Sequence, residues 1–194
     1  MHSAAILAGG LATRFGGRDK SALIVDGRTI LDRQIAELSS LTPDVLLVGG
    51  RLHHASARNV ADLVPGCGPL GGLHAALTEA RGDAVAVIGC DMPYVTAPLI
   101  AYLLSLAHEA DIIMPRTERG YHPLCAVYAR ACLEPVAARL AERRLKMMDL
   151  VADVRTRVVT VEEIARFGDL HRLLANVNTP AEYAVLEALQ SHKL

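Results

Sequence analysis

The chain has 194 residues, of which 52% are hydrophobic, with 20 Lys+Arg set against 21 Asp+Glu. That apolar fraction supports a packed core and excludes a disordered tail. The balanced charge excludes a nucleic-acid or anionic-membrane partner held by bulk electrostatics, but leaves open a small phosphorylated ligand, which needs only a few local cations. No apolar run approaches the roughly 18–20 residues of a membrane span; the best candidate, Leu99–Leu106, carries Tyr102 and Ser105. The first residues lack the basic stretch of a secretory leader. Cys67, Cys90, Cys125 and Cys132 form no CxxC pair and show no ligand-like spacing to histidine, so free thiols in a cytoplasmic protein are expected.

In chain order, a short apolar strand over Ala4–Leu7 runs into a stretch with four glycines, Gly9, Gly10, Gly16 and Gly17, and the cations Arg14, Arg18 and Lys20. Thr29 then caps a helix carrying Ile30, Leu31, Ile35 and Leu38 on one side, with Asp32 favoured near its N-terminus. Strands follow at Val45–Val48, Val85–Ile88, Ile112–Met114 and Leu124–Tyr128, apolar on successive residues as strands buried on both faces are. Helices are expected over Leu70–Ala80, Pro98–His108 and Arg130–Glu142. A weaker strand lies at Arg157–Val161, and Pro180 opens a last helix through about Gln190. The alternation gives an α/β, Rossmann-like fold: a mostly parallel sheet with helices on both faces, in one domain over 1–194.

Ligands of such a sheet gather at the C-terminal ends of its strands. The glycine stretch after the first strand sits there. It reads either as a solvent-facing turn or as a loop whose free N–H groups and cations hold a triphosphate. It matches neither G-x-G-x-x-G nor a Walker A loop, since Asp19 stands where the latter needs glycine before Lys20. Asp91 follows the strand that runs to Gly89, and Pro93 stops that strand from continuing. It reads as a carboxylate ligand for Mg²⁺ or as the cap of a turn. Gly68–Gly72 precedes a helix whose N-terminus offers further donors.

The first loop, LAGGLATRFGGRDKSAL, resembles the signature of nucleotidyltransferases, and within them the molybdenum cofactor guanylyltransferases. Gly68-Pro69-Leu70-Gly71-Gly72, Cys90-Asp91-Met92-Pro93, His122-Pro123-Leu124 and Asn176-Val177-Asn178-Thr179-Pro180 match that family's further motifs in the right order. The resemblance implies transfer of GMP from GTP to the phosphate of molybdopterin, with release of pyrophosphate. It implies Mg²⁺ on Asp91, with Arg14 and Lys20 on the triphosphate. Nucleotide contacts are implied for Leu7, Ala8, Gly9, Gly10, Lys20, Asp62, Gly68, Gly72 and Asp91, and Gly9 distinguishes the guanine type from the cytidine type. Acceptor contacts are implied for His122, Asn176, Asn178 and Arg143. Each of these has a plainer reading: a turn histidine, an Asx-turn or helix cap for the asparagines, and a solvated helix end for Arg143. Gly49-Gly50-Arg51 departs from the asparagine common in the family after the second strand, leaving Arg51 or a water in its place. A cytidylyltransferase for the same cofactor and a sugar-phosphate nucleotidyltransferase share the fold and the first loop. Transient contact with other cofactor-biosynthesis or molybdoenzyme-maturation proteins is also expected.

Overall fold

The computed structural model describes residues 1–8, 22–50, 53–177, 179 and 182–183. The chain opens with β1 (His2–Leu7) and continues through a small hairpin of β2 (Ile24–Val25) and β3 (Arg28–Thr29) into α1 (Ile30–Ser39). Next come β4 (Val45–Val48), β5 (Arg58–Val60), α2 (Gly68–Glu79), β6 (Ala84–Gly89), α3 (Ala97–Ser105), β7 (Ile112–Thr117), β8 (Gly120–Tyr121) and β9 (Cys125–Ala129). The described part closes with α4 (Leu133–Ala141), β10 (Thr156–Val159), α5 (Val161–Ala165) and α6 (Leu170–Leu173).

The main sheet runs β10-β7-β9-β6-β1-β4-β5, with β8 paired to β7. β1 pairs in parallel with β4 and β6, β4 with β5, and β10 with β7. The expected mostly parallel sheet is thus present, with two antiparallel strands: the short β8 beside β7, and β9 beside both of its neighbours, β6 and β7. Its position follows from a short return after β7, through β8, that leaves no room for a crossover helix, and a parallel strand needs one.

Side-chain alternation along β1 builds both faces. Ala4 and Ile6 pack with Leu31, Ile35 and Leu38 of α1 and Leu99, Leu103 and Leu104 of α3. Ala5 and Leu7 pack on the other face with Leu70, Leu73 and Leu77 of α2 and Val136 and Leu140 of α4. Helices on both faces are as the sequence pattern predicts, and Thr29 caps α1 by accepting from the Asp32 N–H at 3.0 Å.

Several boundaries differ from the expectation. The helix expected over Arg130–Glu142 starts as a 3-10 turn, Arg130–Cys132, before α4. α3 stops at Ser105 rather than His108. β10 ends at Val159 because Thr160 and Glu163 form a reciprocal capping box that starts α5. The β2–β3 hairpin turns at Asp26-Gly27, whose φ values of 49° and 76° suit a tight primed turn. The expected last helix falls largely outside the described residues, although Thr179 and Glu182 exchange the hydrogen bonds of a capping box, 3.0 and 3.2 Å.

Candidate active site

The C-terminal ends of β4, β1 and β6 lie side by side, with Leu7 in register with Val48 and Gly89. Beyond the last paired residues the backbones stay joined: the Ala8 N–H donates to Val48 O (2.9 Å), and the Cys90 N–H donates to Leu7 O (3.2 Å). The exit of β1 therefore borders the Asp91 turn directly. The expected triphosphate residues Gly9, Gly10, Arg14 and Lys20 follow that exit and lie outside the described residues, as do Arg51 and Asn178.

Asp91 stands in a tight turn after β6. A Cβ on Gly89 would lie 2.7 Å from Asp91 Oδ1, so the absence of a side chain at 89 is what gives the carboxylate its place. The Val177 N–H donates to Asp91 O at 2.8 Å, which draws Asn176-Val177 onto the same turn. The Gly89 N–H donates to Leu124 O at 2.9 Å, which does the same for His122-Pro123-Leu124.

The second glycine loop arrives from the other face. Leu7 packs on Gly72, where a Cβ would meet its side chain at 3.4 Å. The N-cap of α2 is Cys67, which supplies no side-chain cap, and Gly68 takes the left-handed φ of 59° that lets the chain enter the helix. One oxygen of Asp62, Oδ1, accepts from the Val64 N–H (3.1 Å) and sits where a side chain on Gly71 would crowd it. That carboxylate shapes the loop as well as facing it. Arg143, in a left-handed conformation with φ of 57°, extends its guanidinium from the end of α4 to within 3.7 Å of Cys67 Sγ. The expected acceptor cation thus leans on the N-terminus of α2. The segment beyond it is fastened by buried Arg139, which donates to the Asp153 carboxylate and to Asp149 O.

His122 shares a hydrogen bond of 2.9 Å with Thr117 Oγ1, and its backbone N–H donates to Pro115 O. It faces a cleft of about 240 Å³ lined also by Arg119, Val161, His171 and Leu174. Burial, joined by the Arg119 charge, holds the imidazole below its ordinary 6.5. The ring is therefore neutral at pH 7, which fits a hydrogen-bonding role better than a standing phosphate cation. A lowered pKa means that unfolding takes up a proton below pH 6.5. The stability from neutral His122 is complete above that value and is lost as pH falls through the lower folded value. A proton NMR titration of the His122 ring is expected to give a midpoint below 6.5, moving upward in Arg119→Gln. A wild-type midpoint above 6.5 would restore the cation role. Asn176 is exposed, and because Thr179 supplies the helix cap, the plainer capping reading of Asn176 is not needed.

Among the described residues, no three His, Cys, Asp or Glu side chains come together as a metal cluster. The single carboxylate of Asp91 in its glycine-made niche suits Mg²⁺, which takes one or two protein carboxylates and completes its shell with water and substrate phosphates. It does not suit a structural site built from protein ligands alone.

Two neighbours of Asp91 were missed by sequence reasoning: Gln34 and Arg33 of α1, whose side chains donate to the carbonyls of its turn. The available signal was a lone amide at 34 within the apolar stripe of Ile30, Leu31, Ile35 and Leu38.

A parallel-centred sheet with a glycine loop and a carboxylate by the C-terminal ends of adjoining strands is the arrangement in which α/β proteins gather their ligands. The MobA-like NTP transferase domain matches residues 4–158, and the chain belongs to that family. It is 33% identical over 91% of its length to a probable molybdenum cofactor guanylyltransferase of Pelotomaculum thermopropionicum, 87% of which is covered. It is 30% identical over 94% of its length to a molybdenum cofactor guanylyltransferase of Desulfosudis oleivorans, 93% of which is covered. The crystal structure of molybdopterin-guanine dinucleotide biosynthesis protein A from Archaeoglobus fulgidus superposes with a TM-score of 0.84. That match covers 99% of this chain and all of the other at 22% identity, which establishes the shared fold.

Proposed function

We propose that this chain, acting as a single domain over 1–194, transfers GMP from GTP to the terminal phosphate of molybdopterin in the cytoplasm, with Mg²⁺ as cofactor. The observation that carries the reading is the convergence on one turn. The backbone of Gly89–Asp91 bonds to Leu7 at the exit of β1, to the Leu124 carbonyl and to the Val177 N–H, so residues from four of the five motif segments meet at that turn.

In the proposed reaction, an oxygen of the acceptor phosphate forms a bond to the α-phosphorus of GTP while the bond to the pyrophosphate oxygen breaks. The acceptor phosphate is already largely ionised, so no general base is needed. The protein's task is to bring two anions together and offset the charge moving onto the leaving group. Lys20 and Arg14 are assigned to the triphosphate. Backbone groups of Leu7–Gly10 and Gly68–Gly72, with Asp62, are assigned to the guanosine, and His122, Arg143, Asn176 and Asn178 to the acceptor. Mg²⁺ bound to Asp91 would supply charge neutralisation at the phosphate oxygens. Transient contacts with maturation proteins belong to the same reading.

The test is pyrophosphate release by the purified chain with Mg²⁺, using GTP, CTP or UTP and either molybdopterin or a panel of sugar 1-phosphates. A site built to hydrogen-bond guanine leaves buried groups unpaired with cytosine, at about 1–3 kcal/mol each. Two such groups would give a preference for GTP on the order of a hundredfold. Faster release with CTP would overturn the guanine assignment, and robust release with a sugar 1-phosphate the acceptor assignment. Lys20→Ala is expected to slow transfer from GTP and CTP alike, because it removes charge from the triphosphate and not a contact to the base.

A further inference from the structure

The turn bearing Asp91 is gripped by one helix. Gln34, at 1% exposure, donates from Nε2 to Gly89 O at 2.7 Å and to Met92 O at 3.0 Å, the carbonyls on either side of Cys90–Asp91. Beside it, Arg33 Nε donates to Pro93 O at 3.2 Å. The bond that the turn makes across itself, Met92 N–H to Gly89 O, is longer at 3.3 Å. Three hydrogen bonds from two side chains of α1 therefore hold the carbonyls that frame Asp91.

The rest of the amide shows why Gln34 is not a packing residue. Its Oε1 is buried and accepts no hydrogen bond among the described residues. A buried acceptor left bare costs stability, and an apolar side chain of the same length in the surrounding stripe would avoid that cost. Packing alone gives no reason for an amide here; two hydrogen bonds aimed at the Asp91 turn do. Sites that break a local packing rule in this way are expected to be functional or strained.

We propose that Gln34 is a positioning residue for Asp91: by fixing the carbonyls on both sides, it holds the carboxylate in the orientation that a divalent cation needs. The inference rests on the reading of Asp91 as the metal ligand. Without Gln34, the Met92 carbonyl, on a residue only 2% exposed, loses its donor, and the turn must rotate to find another.

The experiment measures Mn²⁺ binding by electron paramagnetic resonance in the full chain with α,β-methylene-GTP, which holds the complex without transfer. Gln34→Met keeps the length of the side chain and removes both hydrogen bonds. The expected result is Mn²⁺ affinity weaker on the order of tenfold, in the range found when supports of metal ligands are removed. Affinity for the analogue in EDTA and the melting temperature should stay at the wild-type values. Gln34→Leu serves as the second variant, and Asp91→Asn runs beside both. Wild-type Mn²⁺ affinity in both Gln34 variants, with Asp91→Asn impaired, overturns the positioning role alone. Weakened affinity accompanied by an equal fall in melting temperature in both variants also overturns it, since Gln34 would then be structural. Unchanged affinity in Asp91→Asn overturns both claims and places the fault in the metal reading.

Discussion

Asp91→Asn is expected to leave the protein folded and reduce GTP-dependent pyrophosphate release by roughly a thousandfold, equivalent to about 4 kcal/mol in the transition state. The amide is nearly the same size as the carboxylate and fits the same niche beside Gly89, so the backbone joins from Cys90 to Leu7 and from Val177 to Asp91 need not change. What changes is charge: an amide is a poor ligand for a hard cation that prefers anionic oxygen. Among the described residues no cluster of carboxylates stands by to replace it. The measurement is single-turnover pyrophosphate release over a Mg²⁺ series, with circular dichroism and melting on the same samples. Activity within a few-fold of wild type in a folded Asp91→Asn protein would falsify the assignment.

Gly89→Ala should separate fold from function by the opposite means, leaving every charge in place and moving one of them. The new methyl group would lie 2.7 Å from Asp91 Oδ1, closer than real contacts allow, and 3.4 Å from the Leu124 side chain. The Leu124 contact is ordinary. The Asp91 contact is relieved by rotating the carboxylate, which is the movable end of a short side chain. Alanine in a strand carries less conformational entropy cost than glycine, by about 0.5–1 kcal/mol, so the melting temperature should hold or rise slightly. Turnover should fall about a hundredfold, the effect of displacing a reacting geometry by about 1 Å. A Gly89→Ala protein that keeps full turnover would show that the carboxylate works from some other rotamer. One that loses turnover only by unfolding would show that the strand cannot take the methyl group.

Much of the fold is legible in the sequence, for a physical reason. The strands Ala4–Leu7, Val45–Val48 and Val85–Ile88 are buried on both faces and so are continuous in hydrophobicity, and the Thr29 cap is a local interaction between residues three apart. The orientation of β9 is not legible, because apolar runs carry no sign of direction. The 3-10 start before α4 is hidden because its helical periodicity hardly differs from that of the helix it precedes. At the site, Asp91, Gly68–Gly72 and His122 can be named from their motifs. Gln34 cannot, since it acts from 55 residues away in sequence and looks like an interruption of an apolar stripe. The contact of Arg143 with Cys67 is not legible either, because a left-handed residue after α4 makes it possible.

The position of β6 bears on how the site comes into existence. β6 pairs with β1, joining His2 to Ala84, and on its other edge with β9, joining Ala84 to Ala129. Both contacts close long loops, and such non-local pairings form slowly because chain entropy is lost before they contribute. As synthesis proceeds, the first glycine stretch emerges early, yet β1 has no neighbour until β4 and then β6 have followed it. The Asp91 turn is completed later still, when Leu124 and Val177 arrive to bond with Gly89 and Asp91. A partly made chain therefore carries the first glycine stretch without the carboxylate geometry, and a truncated chain ending before residue 177 would hold the strand but lack the last clasp on its turn. In denaturant, nucleotide analogue binding and the central sheet should be lost in one transition.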